Sequence, residues 1–259
     1  MPSLMNVPLS RKPHSPLVQF GDLFLIELSN WRWSWRSVVT TGMIAPMFSI
    51  IAIGLFARES GPAATTYVLT GNVVLALMFT NMSRMASRFA YMRMAGTLAY
   101  YASLPIRRFA LILASAAAFL IISLPAVLFT MLFGSYFLAI PLHPQPLLLL
   151  ILPLCTLALA GIGALIGTAL RTLDEVLAVS QVLTFMLLAL GPVLIPPDKL
   201  PPFMYWVGYL SPATYAASAL RQALLGQLTR RIWLDLAVLL AFCVLSFWLT
   251  GRNMDWRQA

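Results

Sequence analysis

Residues 109–133 read FALILASAAAFLIISLPAVLFTMLF, twenty-five positions without a charged side chain. A helix of that length rises about 37 Å, enough to cross a hydrocarbon core of about 30 Å. Working outward, five further runs of similar character lie near 38–57, 65–83, 147–169, 176–195 and 232–250. Across all 259 residues 60% are hydrophobic and 10% charged, against about a quarter charged in an ordinary soluble domain. A soluble enzyme is excluded, because no core of this size hides so much apolar surface from water. Only helices that satisfy their own backbone hydrogen bonds suit such runs in lipid. The expected fold is therefore all-α, a polytopic membrane protein with six transmembrane helices.

The segments between the spans complete the plan. In residues 1–37, Asp22 and Glu27 interrupt a short apolar stretch that Trp31, Arg32, Trp33, Trp35 and Arg36 follow, which does not read as a cleavable signal peptide. Leu17, Phe20, Phe24, Leu28, Trp31 and Trp35 recur at helical spacing, so this stretch reads as an amphipathic helix in the membrane interface. Residues 1–37 thus form a tail and interface helix, and 38–259 the six-helix domain. Residues 199–226 are apolar enough for a seventh span, but Pro201, Pro202 and Pro212 break them. Ser211 and Pro212 fit an N-cap and first-turn pair, which predicts two short external helices, about 202–210 and 212–225, with Trp206, Tyr209 and Tyr215 as interfacial anchors. Placing the N-terminus inside puts 12 of the 17 Lys and Arg on the cytoplasmic side, the orientation the positive-inside bias favours. Both termini are then cytoplasmic, and the net charge of +9 faces anionic lipid headgroups rather than nucleic acid.

Most familiar chemistry has no residues to carry it. The only lysines are Lys12 and Lys199, and neither stands in the glycine-flanked setting of a phosphate loop. His14 and His143 are the only histidines, so no zinc or triad constellation arises, and His143 reads as a polar residue in an external turn. Cys155 and Cys243 lie inside apolar runs and suggest neither disulfide nor cluster. Asp235 reads as an interfacial carboxylate near Arg230 or Arg231. Asn72, Asn81, Ser180, Gln181 and Thr184 read as hydrogen-bonding groups between helices. Gly161, Gly163 and Gly167, with Ala160 and Ala164, form a small-residue face for close helix packing within the chain. Pro125 and Pro192 are expected to kink their helices.

One connection is unusual. Residues 83–114, SRMASRFAYMRMAGTLAYYASLPIRRFALILA, carry Arg84, Arg88, Arg93, Arg107 and Arg108 and not one acid. A short basic, aromatic surface helix, about 92–104, stopped by Pro105, is the physical reading; on its own it is equally a linker for anionic lipid.

At this point the chain resembles the ABC transmembrane type-2 family, the membrane subunits of bacterial type-2 ABC exporters. Gly96-Thr97-Leu98-Ala99 followed by Leu104-Pro105-Ile106-Arg107-Arg108 is similar to the family's GTLE and LP-I-x-R segment after span two. Leu210-Ser211-Pro212-Ala213-Thr214-Tyr215, then Ala219-Leu220-Arg221 and Leu225-Gly226, resembles its signature before the last span. The resemblance implies a permease subunit of an exporter in the bacterial cytoplasmic membrane. It also implies a second permease copy, a homodimer in the simplest case, and two copies of a separate ABC ATPase subunit that binds ATP and Mg. No cofactor is expected on this chain. The implied ATPase-coupling residues are Arg93, Gly96, Thr97, Leu98, Tyr101, Leu104, Pro105, Arg107 and Arg108, and the implied external gate residues are Trp206, Tyr209, Pro212, Thr214, Tyr215 and Arg221. Met92 and Ala99 stand where family members often carry Glu, so Arg93, Arg107 or Arg108 are expected to meet acids on the ATPase instead. A drug-like or lipid-like amphiphile is the expected cargo. A polysaccharide or glycolipid exporter, and a non-transporting scaffold that binds a soluble partner, are the alternatives.

Overall fold

The computed structural model describes residues 15–103, 108–226 and 228–253, and those residues form helices joined by short turns, with no strand among them. The first helix, α1 (Pro16–Val39), does not stop at the expected boundary near residue 37. It runs through a π-helical turn, Thr40–Ile44, directly into α2 (Ala45–Glu59). Pro46 lies in the first turn of α2 and supplies no backbone donor, and a widened turn before it absorbs the missing bond without ending the helix.

The second run is longer than its apolar stretch. Helix α3 (Pro62–Leu77), a π-turn (Met78–Met82) and α4 (Ser83–Met94) are continuous, 33 residues in all and about 50 Å long. The arginines after residue 83 therefore sit on a helical extension rather than in a loop. Gly96, with φ +68°, turns the chain in a conformation only glycine adopts freely. The short α5 (Thr97–Ser103) follows, so the surface helix begins at Thr97 and not at Met92.

Helix α6 (Arg108–Leu138) carries Pro125 in its interior, and α7 (Leu148–Ala169) carries Pro153. Helix α8 (Leu173–Ala189) opens on a capping box in which Thr172 and Glu175 exchange hydrogen bonds; the reciprocal pair satisfies two otherwise orphaned donors. Its end corrects an expectation, because α8 stops at Ala189 and Pro192 lies beyond it in irregular chain instead of kinking a helix. Gly191 (φ +143°) makes the turn, and a Cβ on Gly208 would lie 2.6 Å from its Cα. The expected external pair is present as α9 (Pro202–Gly208) and α10 (Pro212–Leu225), and α11 (Arg231–Asn253) closes the fold.

Among the described residues, five helical runs are long and apolar enough to cross a membrane. They correspond to five of the six expected spans; the remaining one is α8, whose 17 residues rise about 26 Å. Helix α7 lies at the centre, packed on α4, α10 and α11. Its glycines explain the fit. A Cβ on Gly163 would overlap the Met82 carbonyl oxygen, one on Gly167 the Ala86 carbonyl oxygen, and one on Gly161 the Ser246 hydroxyl of α11. The small-residue face is thus two faces, both used within the chain. Around this core, Phe48, Phe56, Leu132, Leu149, Val182 and Val244 are exposed, an outer surface suited to lipid tails and not to water.

Candidate functional site

The chain presents a site at each end of the bundle. At the first end α4, the Gly96 turn and α5 form a platform. Leu98 packs on the core and Tyr101 is buried, whereas Tyr91, Met94 and Tyr100 are each more than half exposed. Gly96 is exposed and a Cβ there would meet open space, so its role is the turn itself. Thr97 opens α5 and is half-buried. Leu104, Pro105 and Arg107 lie outside the described residues, and Arg108 is described in its backbone alone.

Arg93 faces inward across the platform. Its Nη1 donates to the Thr168 carbonyl at 3.1 Å, and its Nη2 donates to the Leu170 carbonyl. A guanidinium on the last carbonyls of α7 satisfies orphan acceptors and complements the helix dipole. Arg93 therefore ties α4 to α7, a contact across the fold that sequence spacing does not reveal.

Glu27 of α1 supplies a second tie. It is only 6% exposed, and its Oε1 accepts from Arg88 Nε and Nη2, both at 3.1 Å, and from Ser115 Oγ of α6 at 3.3 Å. Burial, then the nearby Glu27 charge, raises the Tyr101 hydroxyl above the usual tyrosine range against the opposing pull of Arg88, so the phenol stays neutral. No sequence pattern announces this partnership, and Glu27 reads there only as a break in an apolar stretch. On α1, Phe20 and Phe24 of the expected stripe pack against the core, whereas Leu17 is 82% exposed and Leu23 takes its place inside. The side chains at Trp31 and Trp35 lie outside those described.

At the opposite end, Pro212 starts α10 and is buried, as are Thr214 and Tyr215. Tyr215 donates to the Tyr209 carbonyl at 2.8 Å, and Tyr209 shares a 2.7 Å hydroxyl contact with Tyr205. These bonds join α9 to α10, while Trp206 is 71% exposed on the outer face. Ser211 occupies the N-cap position, yet its hydroxyl donates to the Leu187 carbonyl instead of capping α10. His143 closes the turn after α6 onto α10, its backbone donating to the Leu224 carbonyl at 2.8 Å. The guanidinium of Arg221 lies 3.4 Å from the Tyr67 ring centroid, a desolvated cation–π contact.

Asp235 departs most from expectation. It is fully buried, and its Oδ2 accepts from Ser218 Oγ at 2.6 Å and from Gln222 Nε2 at 3.0 Å, with Arg231 Nε 3.9 Å from Oδ1. The expected neighbour Arg231 is in place, but the carboxylate is not in reach of water: it anchors α10 to α11, because two polar residues one turn apart on α10 face it. The mid-depth polar residues differ too. Asn72 and Thr184 bond carbonyls of their own helices, at Val68 and Ser180, and Asn81 bonds neighbouring Thr80. Helical carbonyls four residues back are closer than any other helix.

These two ends, joined by apolar helices, suit a protein that spans a membrane several times and meets a soluble partner at one face. No curated protein matches the chain at a significant level. Residues 19–225 match the family model of the ABC-2 type transporter, a match that takes in most of α1, the α4–α5 platform, the central α7 and all of α10. The chain belongs to the ABC-2 type transporter family, as a multi-pass membrane permease component of an ABC transporter.

Proposed function

We propose that this chain is the permease subunit of a bacterial exporter, moving an amphipathic or lipophilic cargo across the cytoplasmic membrane with energy from a separate ATPase subunit. The observation that carries the reading is the exposed platform of Tyr91, Met94 and Tyr100 at the Gly96 turn, within the segment matched to the family. An exposed apolar, aromatic patch is a surface for a protein partner. In this reading α5 is the coupling helix, and two permease copies pair with two ATPase subunits holding ATP and Mg. Both termini are cytoplasmic, and α9 and α10 close the outer end of the path. ATP-driven closure of the ATPases shifts the pore between two states by binding one of them better. Spans with so few charged side chains favour a cargo with a large apolar part, such as a drug-like or lipid-like amphiphile.

The test is co-purification with the product of an adjacent ATPase gene, followed by ATP hydrolysis in lipid with and without candidate amphiphiles. A stable complex with stimulated hydrolysis is expected. A chain that binds no ATPase is instead a scaffold.

A further inference from the structure

The Glu27 site holds more than packing requires. Three donors from two helices converge on one carboxylate oxygen of a third: Arg88 Nε and Nη2 on α4 and Ser115 Oγ on α6 all reach Glu27 Oε1 on α1. A buried ion pair adds little net stability over a well-packed apolar pair. An apolar contact tolerates sliding, however, whereas a forked guanidinium on one oxygen fixes both distance and direction.

Its position gives that rigidity a use. Arg88 lies on α4 two turns before the Gly96 turn, and Tyr101 of α5, buried beside it, feels the Glu27 charge. On the far side α1 continues through the π-turn at Thr40–Ile44 into α2. That π-turn meets the one at Met78–Met82, since a Cβ on Gly42 would lie 2.6 Å from Thr80 Cγ2 and 3.0 Å from Ala126 Cβ of α6. Single π-turns mark places where a helix changes register, and here two of them abut at one level. Below that level the Glu27 node binds α4 to α1 and α6; above it α2 and α3 pack on each other and on the far end of α6, around Ile50, Val68 and Leu138.

We infer that Glu27, Arg88 and Ser115 form a latch that makes α1, α4 and the adjoining half of α6 move as one body, pivoting at the paired π-turns. This rests on the reading of α5 as the ATPase contact: displacement of α5 is delivered through α4 and the latch to α1, and so to span α2. Glu27 is a positioning residue, acting through the helices it joins.

The experiment places spin labels at Val18→Cys and Tyr91→Cys, both exposed, with a second pair at Tyr91→Cys and Phe56→Cys, the latter exposed on α2 beyond the π-turns. Distances are read by pulsed electron resonance on the permease–ATPase complex in lipid nanodiscs, with and without ATP and vanadate. With Glu27 intact, the Val18–Tyr91 distance is expected to stay narrow and unchanged between states while the Tyr91–Phe56 distance, taken across the π-turns, shifts. In Glu27→Gln the Val18–Tyr91 distribution broadens and becomes nucleotide-dependent, and the swap Glu27→Arg with Arg88→Glu restores it. Should Glu27→Gln not fold, Ser115→Ala, which keeps the ion pair and loses one donor, must broaden the distribution by a smaller amount. An unmodified chain in which Val18 moves relative to Tyr91, or a Glu27→Gln chain as narrow as the parent, overturns the latch alone. Failure to isolate any ATPase complex overturns the transporter reading itself, a result obtained one step earlier.

Discussion

Gly163 and Gly167 set how closely α7 approaches α4, since added side-chain atoms at either position run into carbonyl oxygens of Met82 and Ala86. Backbone cannot rotate aside as a flexible side chain can, so Gly163→Ala is expected to force the helices apart. Overpacking of this kind costs about 1–3 kcal/mol, and thermal unfolding in detergent should show the loss. Gly21 on α1 provides the contrast. Nothing lies within 4 Å of a Cβ there, and replacing an interior helical glycine by alanine gains about 0.5–1 kcal/mol, so Gly21→Ala should raise the midpoint in the same assay. Equal shifts at the two positions would contradict the close crossing. Asp235 belongs to this scale as well: with Ser218 and Gln222 both donating to Oδ2, Asp235→Ala orphans buried donors. Each unsatisfied group costs about 1–3 kcal/mol, so the variant should melt earlier than Asp235→Asn, which retains an acceptor oxygen.

Among the elements, α5 offers the sharpest separation of folding from partner binding. Adjacent tyrosines point opposite ways, Tyr100 at 63% exposure and Tyr101 at 9%. Tyr100→Ala is expected to weaken the ATPase complex with the permease's melting point unchanged. Tyr101→Ala removes a buried ring, at a cost of about 3–5 kcal/mol for a large aromatic, and should lower that melting point first. A Tyr100→Ala chain that binds its ATPase as tightly as the parent removes the platform from the contact. How these elements read from sequence follows their physics. The long apolar runs, the proline-broken α9 and α10, and the small residues of α7 announce themselves, because lipid and close packing act on local composition. What stayed hidden depends on partners far along the chain: Arg93 reaches Thr168 and Leu170, Glu27 reaches Arg88, and Asp235 reaches Ser218. Helix ends were obscured for a related reason. A helix continues past its apolar stretch wherever tertiary contacts hold it, so α4 extends through its arginines to Met94, and α1 joins α2 through the π-turn at Thr40–Ile44.

For the molecule as a whole, the arrangement of ends decides the mechanism, because an ATPase can act only on a platform in its own compartment. The hairpin connections alternate strictly: α3–α4 carries the chain from the Gly61 turn to the Gly96 turn, α6 returns it, and α7 goes back to Arg93. Phe203 on α9 and Tyr100 on α5, at 71% and 63% exposure, therefore mark opposite faces. Proposed orientation places Phe203 outside and Tyr100 in the cytoplasm, matching the excess of arginine at the α4–α5 end. Single cysteines at these positions, in a background where Cys155 and Cys243 are buried, can be challenged with a membrane-impermeant maleimide. Phe203→Cys should react in spheroplasts and Tyr100→Cys only in inside-out vesicles. The reverse pattern would turn the arginine-rich platform away from ATP and sink the exporter mechanism, and reaction of both from one side would break the alternation on which the two-ended architecture depends.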